Sequence, residues 1–183
     1  MIRSIAVFCG SSMGRHPAYA EEAKQLGEAL AEKNITLVYG GGNIGLMGVI
    51  ANTVLSAGGK VTGIIPAFLN TAERKHEHLT EQIEVKTMHE RKALMYERCD
   101  AAIVLPGGYG TLDEFFELLT WNQLTLHDKK VGLLNVAGYY DCLYRHFQRM
   151  EEERFLRGHF AAAILMAPGA RELLRLLLEE KDT

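Results

Sequence analysis

The chain lacks the cysteines of a disulfide frame or a zinc site. Cys9, Cys99 and Cys142 are widely separated and form no C-x-x-C pair, which reads as reduced thiols in a cytoplasmic protein. No stretch approaches the ~20 apolar residues of a membrane span. The N-terminal apolar segment 5–9 is too short for a signal peptide and runs into a glycine turn. Basic runs never exceed two residues and the net charge is −3, so neither nucleic acid nor an anionic membrane is expected as a partner. Seven histidines form no H-x-x-x-H or H-E-x-x-H pattern. His76 and His78 lie two apart in a polar stretch and read as solvated, so no metal is expected. There is no G-x-S-x-G elbow, which leaves Ser11 and Ser12 as hydrogen-bond donors to a ligand. Linkers, repeats and low-complexity segments are also absent, and residues 1–183 read as one domain with a substantial core.

What is present is a regular alternation of short apolar runs and amphipathic segments. Strands are expected at 4–9, 35–39, 61–65, 83–87, 101–105, 130–135 and 163–166. Helices are expected at 17–33, 46–56, 89–98, from the glycine turn after the fifth strand to about 124, at 139–153 and from about 169 to 180. Residues 67–82 read as an irregular loop. This order predicts an α/β fold, a Rossmann-like doubly wound parallel sheet with helices on both faces. Ligands of such sheets bind beyond the carboxyl ends of the strands. The turns at Gly10, Gly40 and Gly107 each follow a strand and are expected on one edge.

The densest signal is Pro106-Gly107-Gly108-Tyr109-Gly110-Thr111-Leu112-Asp113-Glu114. It joins a buried strand to a helix, where backbone N–H groups and a helix N-terminus make an anion site. Gly107, Gly108 and Gly110 are read as allowing positive φ and close ligand approach. Thr111 is a natural N-cap or a phosphate donor. Glu114, three residues on, has the spacing of a capping box, so it reads either as a structural cap or as a functional carboxylate.

Two further segments bear on the choice. Gly40, Gly42 and Gly45 spell G-x-G-x-x-G, but after the second strand and with no carboxylate at 60–63 for a ribose. This argues for a second glycine wall of a nucleotide pocket, including Gly41, over a dinucleotide fingerprint. Arg91 and Lys92 sit on a short helix near the ligand edge. They read as a solvated basic face or as phosphate or carboxylate ligands. His89 reads as a helix-start residue or, less simply, as an acid–base group. Trp121, Tyr139 and Tyr140 read as packing or subunit-contact residues.

Taken together, FCGSS at Phe8 to Ser12, VYGGGNIGLMG at Val38 to Gly48, MHERK at Met88 to Lys92 and PGGYGTLDE resemble the LOG (Lonely Guy) family. The likeness runs from Ile5 to about Phe155. It implies a Rossmann-like homodimer that hydrolyses the N-glycosidic bond of adenosine 5′-monophosphates, usually N6-substituted, to free base and ribose 5-phosphate, without a cofactor. It further implies Arg91 and Glu114 as the catalytic pair. Substrate contacts would come from Glu73, Arg91, Lys92, Thr120 and the stretch Gly108, Tyr109, Gly110, Thr111, Leu112, Asp113 and Glu114. Gly10, Ser11, Gly41, Gly42 and Gly107 join them on the glycine-turn argument. Many relatives have Glu where this chain has Asp113. The decarboxylase label often attached to such proteins finds no pyridoxal-phosphate lysine motif here. A general AMP nucleosidase and a non-catalytic nucleotide-binding module are the competing readings.

Overall fold

A computed structural model describes residues 1–71, 76–156 and 164–179. Its strands are β1 (Ser4–Phe8), β2 (Thr36–Tyr39), β3 (Val61–Pro66), β4 (Glu81–Val85), β5 (Ala101–Val104), β6 (Lys130–Leu134) and β7 (Ile164–Ala167). The helices are α1 (Ala18–Glu32), α2 (Gly45–Ser56), α3 (Met88–Glu97), α4 (Tyr109–Gln123), α5 (Asp141–Glu152) and α6 (Ala170–Leu178). Every expected element is present, with ends shifted by a residue or two. The stretch after β3 is less irregular than expected, since Ala67–Leu69 forms a 3-10 turn.

All ladders are parallel and the strand order is β4-β3-β2-β1-β5-β6-β7. Side chains alternate across each strand, and the two faces have separate cores. Ile5, Val7, Ala101, Ile103 and Leu105 face α1, α2 and α6. Ala6, Phe8, Ala102 and Val104 face Tyr96 of α3, Phe115 and Leu118 of α4 and Phe147 of α5. Because both faces are covered, the central strands read as unbroken apolar runs.

The strand order reverses between β1 and β5. A crevice opens there because the loops after these two strands lead to helices on opposite faces. The Gly10 N–H donates to the Pro106 carbonyl at 3.1 Å, so the two loops meet across the reversal. The Gly10 carbonyl accepts from the Leu46 N–H, also at 3.1 Å, which ties in the start of α2. Gly45 lies so close to the Ser11–Ser12 backbone that a Cβ would sit 2.3 Å from it, and its φ of +59° also favours glycine. No helix among the described residues is long and apolar enough to cross a membrane.

Candidate active site

The three glycine turns and the start of α3 enclose a cavity of about 490 Å³ at this reversal. Its polar side is Gly10, Ser11, Arg91, Glu114 and the first residues of α4. Its apolar side is Val7, Ile44, Met47, Ile65, Leu69 and Met88. The size and mixed lining suit one small organic ligand.

Arg91 and Glu114 are the chemical centre. Both are more than nine-tenths buried, which ends the solvated-face reading of Arg91. Arg91 Nη2 lies 3.7 Å from Glu114 Oε1, an ion pair too long for a hydrogen bond. The Arg91 Nε–H is buried without a partner in the protein, which leaves a donor for a ligand oxygen. Burial pushes the Glu114 carboxyl up from 4.5 to about 7. Arg91 opposes that rise, and Asp113 adds to it. Desolvation therefore outweighs the nearest cation, and Glu114 is poised to change protonation near neutrality. The Cys9 thiol lines the same cavity, but burial and the Glu114 carboxylate push it far above the range of a nucleophile.

A second set of contacts fixes the pair. Lys92 Nζ donates to Asp113 at 3.0 and 3.2 Å and pairs with Glu117 at 3.1 Å. Burial pulls the Lys92 ammonium down, but the two carboxylates outweigh it and hold it above its ordinary value. One helical turn on, the Tyr96 hydroxyl shares its one proton between the Glu114 carbonyl at 2.9 Å and the Glu117 carboxylate at 3.0 Å. Lys92 and Tyr96 share a face of α3. Together they set the register of α3 on α4, and that register brings Arg91 to Glu114. Gly40 completes the fit: a Cβ there would lie 1.8 Å from Arg91 Nη2.

The capping reading of Thr111 and Glu114 fails on geometry. Gly108 is the N-cap, extended at φ −97°, and no side chain caps the helix. The Leu112 N–H already bonds to the Gly108 carbonyl at 3.1 Å. The helix thus starts two residues before Thr111, and Glu114 falls in its second turn. The expected positive φ at Gly107, Gly108 and Gly110 is also absent. Gly107 is needed for close packing instead, because a Cβ would lie 2.1 Å from Thr111 Oγ1. The uncapped start of α4, with no acidic residue in its first turn, presents free N–H groups and positive dipole to the cavity.

Comparison with known proteins gives the family and the fold. A family model described as "Possible lysine decarboxylase" matches residues 47–177. A cytokinin riboside 5′-monophosphate phosphoribohydrolase of Arabidopsis thaliana, LOG2, is 49% identical over 177 residues, covering 97% of this chain and 83% of that protein. A probable enzyme of the same name from Oryza sativa subsp. japonica, LOGL1, is 50% identical over 171 residues, covering 93% and 77%. The chain belongs to the LOG family. Solved structures show the same fold. A molybdenum cofactor binding protein of Rippkaea orientalis aligns with a TM-score of 0.73 at 22% identity, covering 97% of this chain and 96% of that one. The molybdenum cofactor carrier protein of Chlamydomonas reinhardtii aligns with a TM-score of 0.73 at 19% identity, covering 98% and 100%.

Of the residues implied by the LOG resemblance and the glycine turns, Gly10, Ser11, Gly42, Arg91, Gly108, Tyr109, Gly110, Thr111 and Glu114 line the cavity. Lys92 and Asp113 are bonded to each other behind it. Gly107 and Gly41 shape its wall from the second layer; Gly41 has φ +74° and accepts from the His76 N–H at 3.3 Å. Leu112 packs into the α3–α5 core. Thr120 is exposed two turns further along α4 and bonds to the Phe116 carbonyl at 2.7 Å. Glu73 lies outside the described residues. His76 is buried, not solvated, with its ring 3.1 Å from Asn52 Oδ1. The sequence reading missed the apolar wall, Tyr96 and Glu117. The polar pair could have been found from the i, i+4 spacing of Lys92 and Tyr96, whereas wall residues such as Ile65 look like ordinary core.

Proposed function

We propose that this LOG-family protein hydrolyses the N-glycosidic bond of N6-substituted adenosine 5′-monophosphates, releasing the free base and ribose 5-phosphate. The observation that carries the reading is the buried Arg91–Glu114 pair beside the uncapped start of α4 in one cavity. The names of the relatives, 49–50% identical, support it. The 5′-phosphate sits at the α4 N-terminus, where N–H groups and helix dipole favour an anion. The base lies against Ile44, Met47, Ile65 and Met88, which places the ribose over Glu114.

Breaking the ribosyl–base bond builds oxocarbenium character on the sugar. Glu114 as a carboxylate stabilises that charge and takes a proton from the attacking water, whose oxygen bonds to C1′ as the base departs with the electron pair. That proton then passes from Glu114 to the departing base, which restores the carboxylate. Arg91 holds a ribose or phosphate oxygen through its unpartnered Nε–H and keeps a fraction of Glu114 ionised. The rate therefore rises with pH through about 7, the value to which burial lifts Glu114.

The protein acts as a cytoplasmic homodimer. Its three cysteines are free thiols, which fits a reducing compartment. The exposed side chains of α3 are mostly polar, but Phe116 lies exposed on one side of α4, with Leu124 and Leu126 exposed just beyond its end. Thr120 falls on the same side. A second copy packed there accounts for a substrate contact that faces away from its own cavity.

Substrate profiling tests the proposal. An N6-isopentenyl ribotide should release ribose 5-phosphate faster than AMP does. The matching riboside should be at least ~10²-fold slower, because it forfeits the charge-assisted contacts at α4. Equal turnover of riboside and ribotide would defeat the phosphate assignment. AMP turned over as fast as the N6-substituted ribotide would make this a general AMP nucleosidase.

A further inference from the structure

Behind the glycine turn, three successive carbonyls are each held. The Tyr140 hydroxyl donates to the Leu105 carbonyl at 2.6 Å. The Gly10 N–H donates to the Pro106 carbonyl at 3.1 Å. The Tyr139 hydroxyl donates to the Gly107 carbonyl at 2.7 Å. In a planar trans peptide the C=O and the following N–H point in opposite directions. Tying the Gly107 carbonyl to Tyr139 on the outside therefore turns the Gly108 N–H inward, toward the cavity that Gly108 lines. That N–H is the first of the free donors at the start of α4.

Tyr139 is itself held rigidly. It follows a sharp turn in which Ala137 and Gly138 both have positive φ, +51° and +71°. Asn135 locks that turn, accepting from the Tyr140 N–H at 2.7 Å and donating to Asp141 at 2.7 Å. The Tyr139 ring stands edge-on to Tyr140, centroids 4.8 Å apart, and to Tyr19 of α1, 5.6 Å apart. Such edge contacts fix where the hydroxyl can point.

We infer that Tyr139 is a positioning residue for the 5′-phosphate. Its hydroxyl orients the Gly107–Gly108 peptide so that the Gly108 N–H joins the anion cradle at the start of α4. It touches neither substrate nor the reacting bond. The inference rests on the function proposed above and adds a residue to its phosphate end.

Tyr139→Phe removes only the hydroxyl and keeps both ring contacts. The test is calorimetric binding of ribose 5-phosphate and, separately, of adenine to the wild type and to Tyr139→Phe, with a thermal melt of each protein. The expected result is about tenfold weaker binding of ribose 5-phosphate, the scale of one well-placed hydrogen bond. Adenine affinity should stay within about twofold and the melting temperature should hardly move. Unchanged ribose 5-phosphate binding overturns the inference. Equal weakening of both ligands, or a variant that loses its fold, also overturns it, because the hydroxyl would then support the scaffold and not the cradle. A wild type that binds neither ligand overturns the functional reading itself.

Discussion

Two single atoms at the site carry testable consequences. Glu114 has its carboxyl lifted from 4.5 to about 7, first by burial, with Arg91 opposing. The folded protein therefore holds a proton that the unfolded chain releases. Below the unfolded value Glu114 is neutral in both states and costs nothing. From about 4.5 upward the unfolded chain ionises while the folded state keeps its proton, so stability falls across that window and the loss is complete once pH has passed through about 7. Glu114→Gln keeps the shape without that charge. It should melt at the wild-type temperature at about pH 4 and several degrees above it at about pH 8. A variant less stable than the wild type at the higher pH would restore a structural role for the carboxylate. The other atom is the missing Cβ of Gly40. In Gly40→Ala the new methyl claims the space of a guanidinium nitrogen, which sits at the free end of a flexible side chain. The fold should survive while Arg91 swings away. Turnover should fall roughly 10²-fold, with a melting temperature within a few degrees of wild type. Full activity in Gly40→Ala would mean that Arg91 need not stand where it does.

At the scale of elements, one short pattern shows how far the sequence could be read. Thr-x-x-Glu occurs at Thr87–Glu90 and again at Thr111–Glu114. At the first, Thr87 caps α3, accepting the Glu90 N–H at 3.1 Å, and Glu90 reaches back to the Lys86 N–H at 2.8 Å. At the second, the helix has already begun at Tyr109, so the same spacing sends Glu114 into a buried second turn. Spacing alone cannot tell these apart, because the difference lies in where the preceding glycines let the helix start. Strands and helices were legible from their periodicity. The α3–α4 register was not, because it depends on Lys92 meeting carboxylates from a helix 21 residues away. Lys92 also helps keep Glu114 ionised. Lys92→Gln should therefore raise the pH at which the rate climbs, by roughly 0.5–1 unit, and loosen α3 on α4. A pH–rate profile with its acid limb unmoved would separate Lys92 from the chemistry.

For the whole molecule, the order of strands did most of the placing. Alternating β and α elements put the glycine turns after β1, β2 and β5 at the carboxyl edge, and the reversal between β1 and β5 gathers them around one cavity. The shared edge followed from the sequence, whereas the reversal is seen only in the fold. The apolar wall did not follow from the sequence either, since Val7 and Ile65 become ligand-facing only once the loops above them part. On α4 the sequence points only to Trp121 as a packing or subunit-contact residue, and the exposed Phe116, with Leu124 just past the helix end, is added by the structure. Light scattering should give about twice the 20.4 kDa chain mass, and Leu124→Asp with Leu126→Asp should reduce it to that of one chain. A wild type that stays monomeric at micromolar concentration would leave Thr120 without a cavity to reach. All these features serve one claim, that the fold delivers a poised carboxylate to a ribosyl–base bond. The most direct measurement is ribose 5-phosphate released from N6-isopentenyladenosine 5′-monophosphate by the wild type and by Glu114→Gln, each shown to be folded and to bind the nucleotide. The wild type should release ribose 5-phosphate and free base in equal amounts, with Glu114→Gln slower by at least ~10²-fold. Hydrolysis by folded Glu114→Gln at close to the wild-type rate would contradict the account.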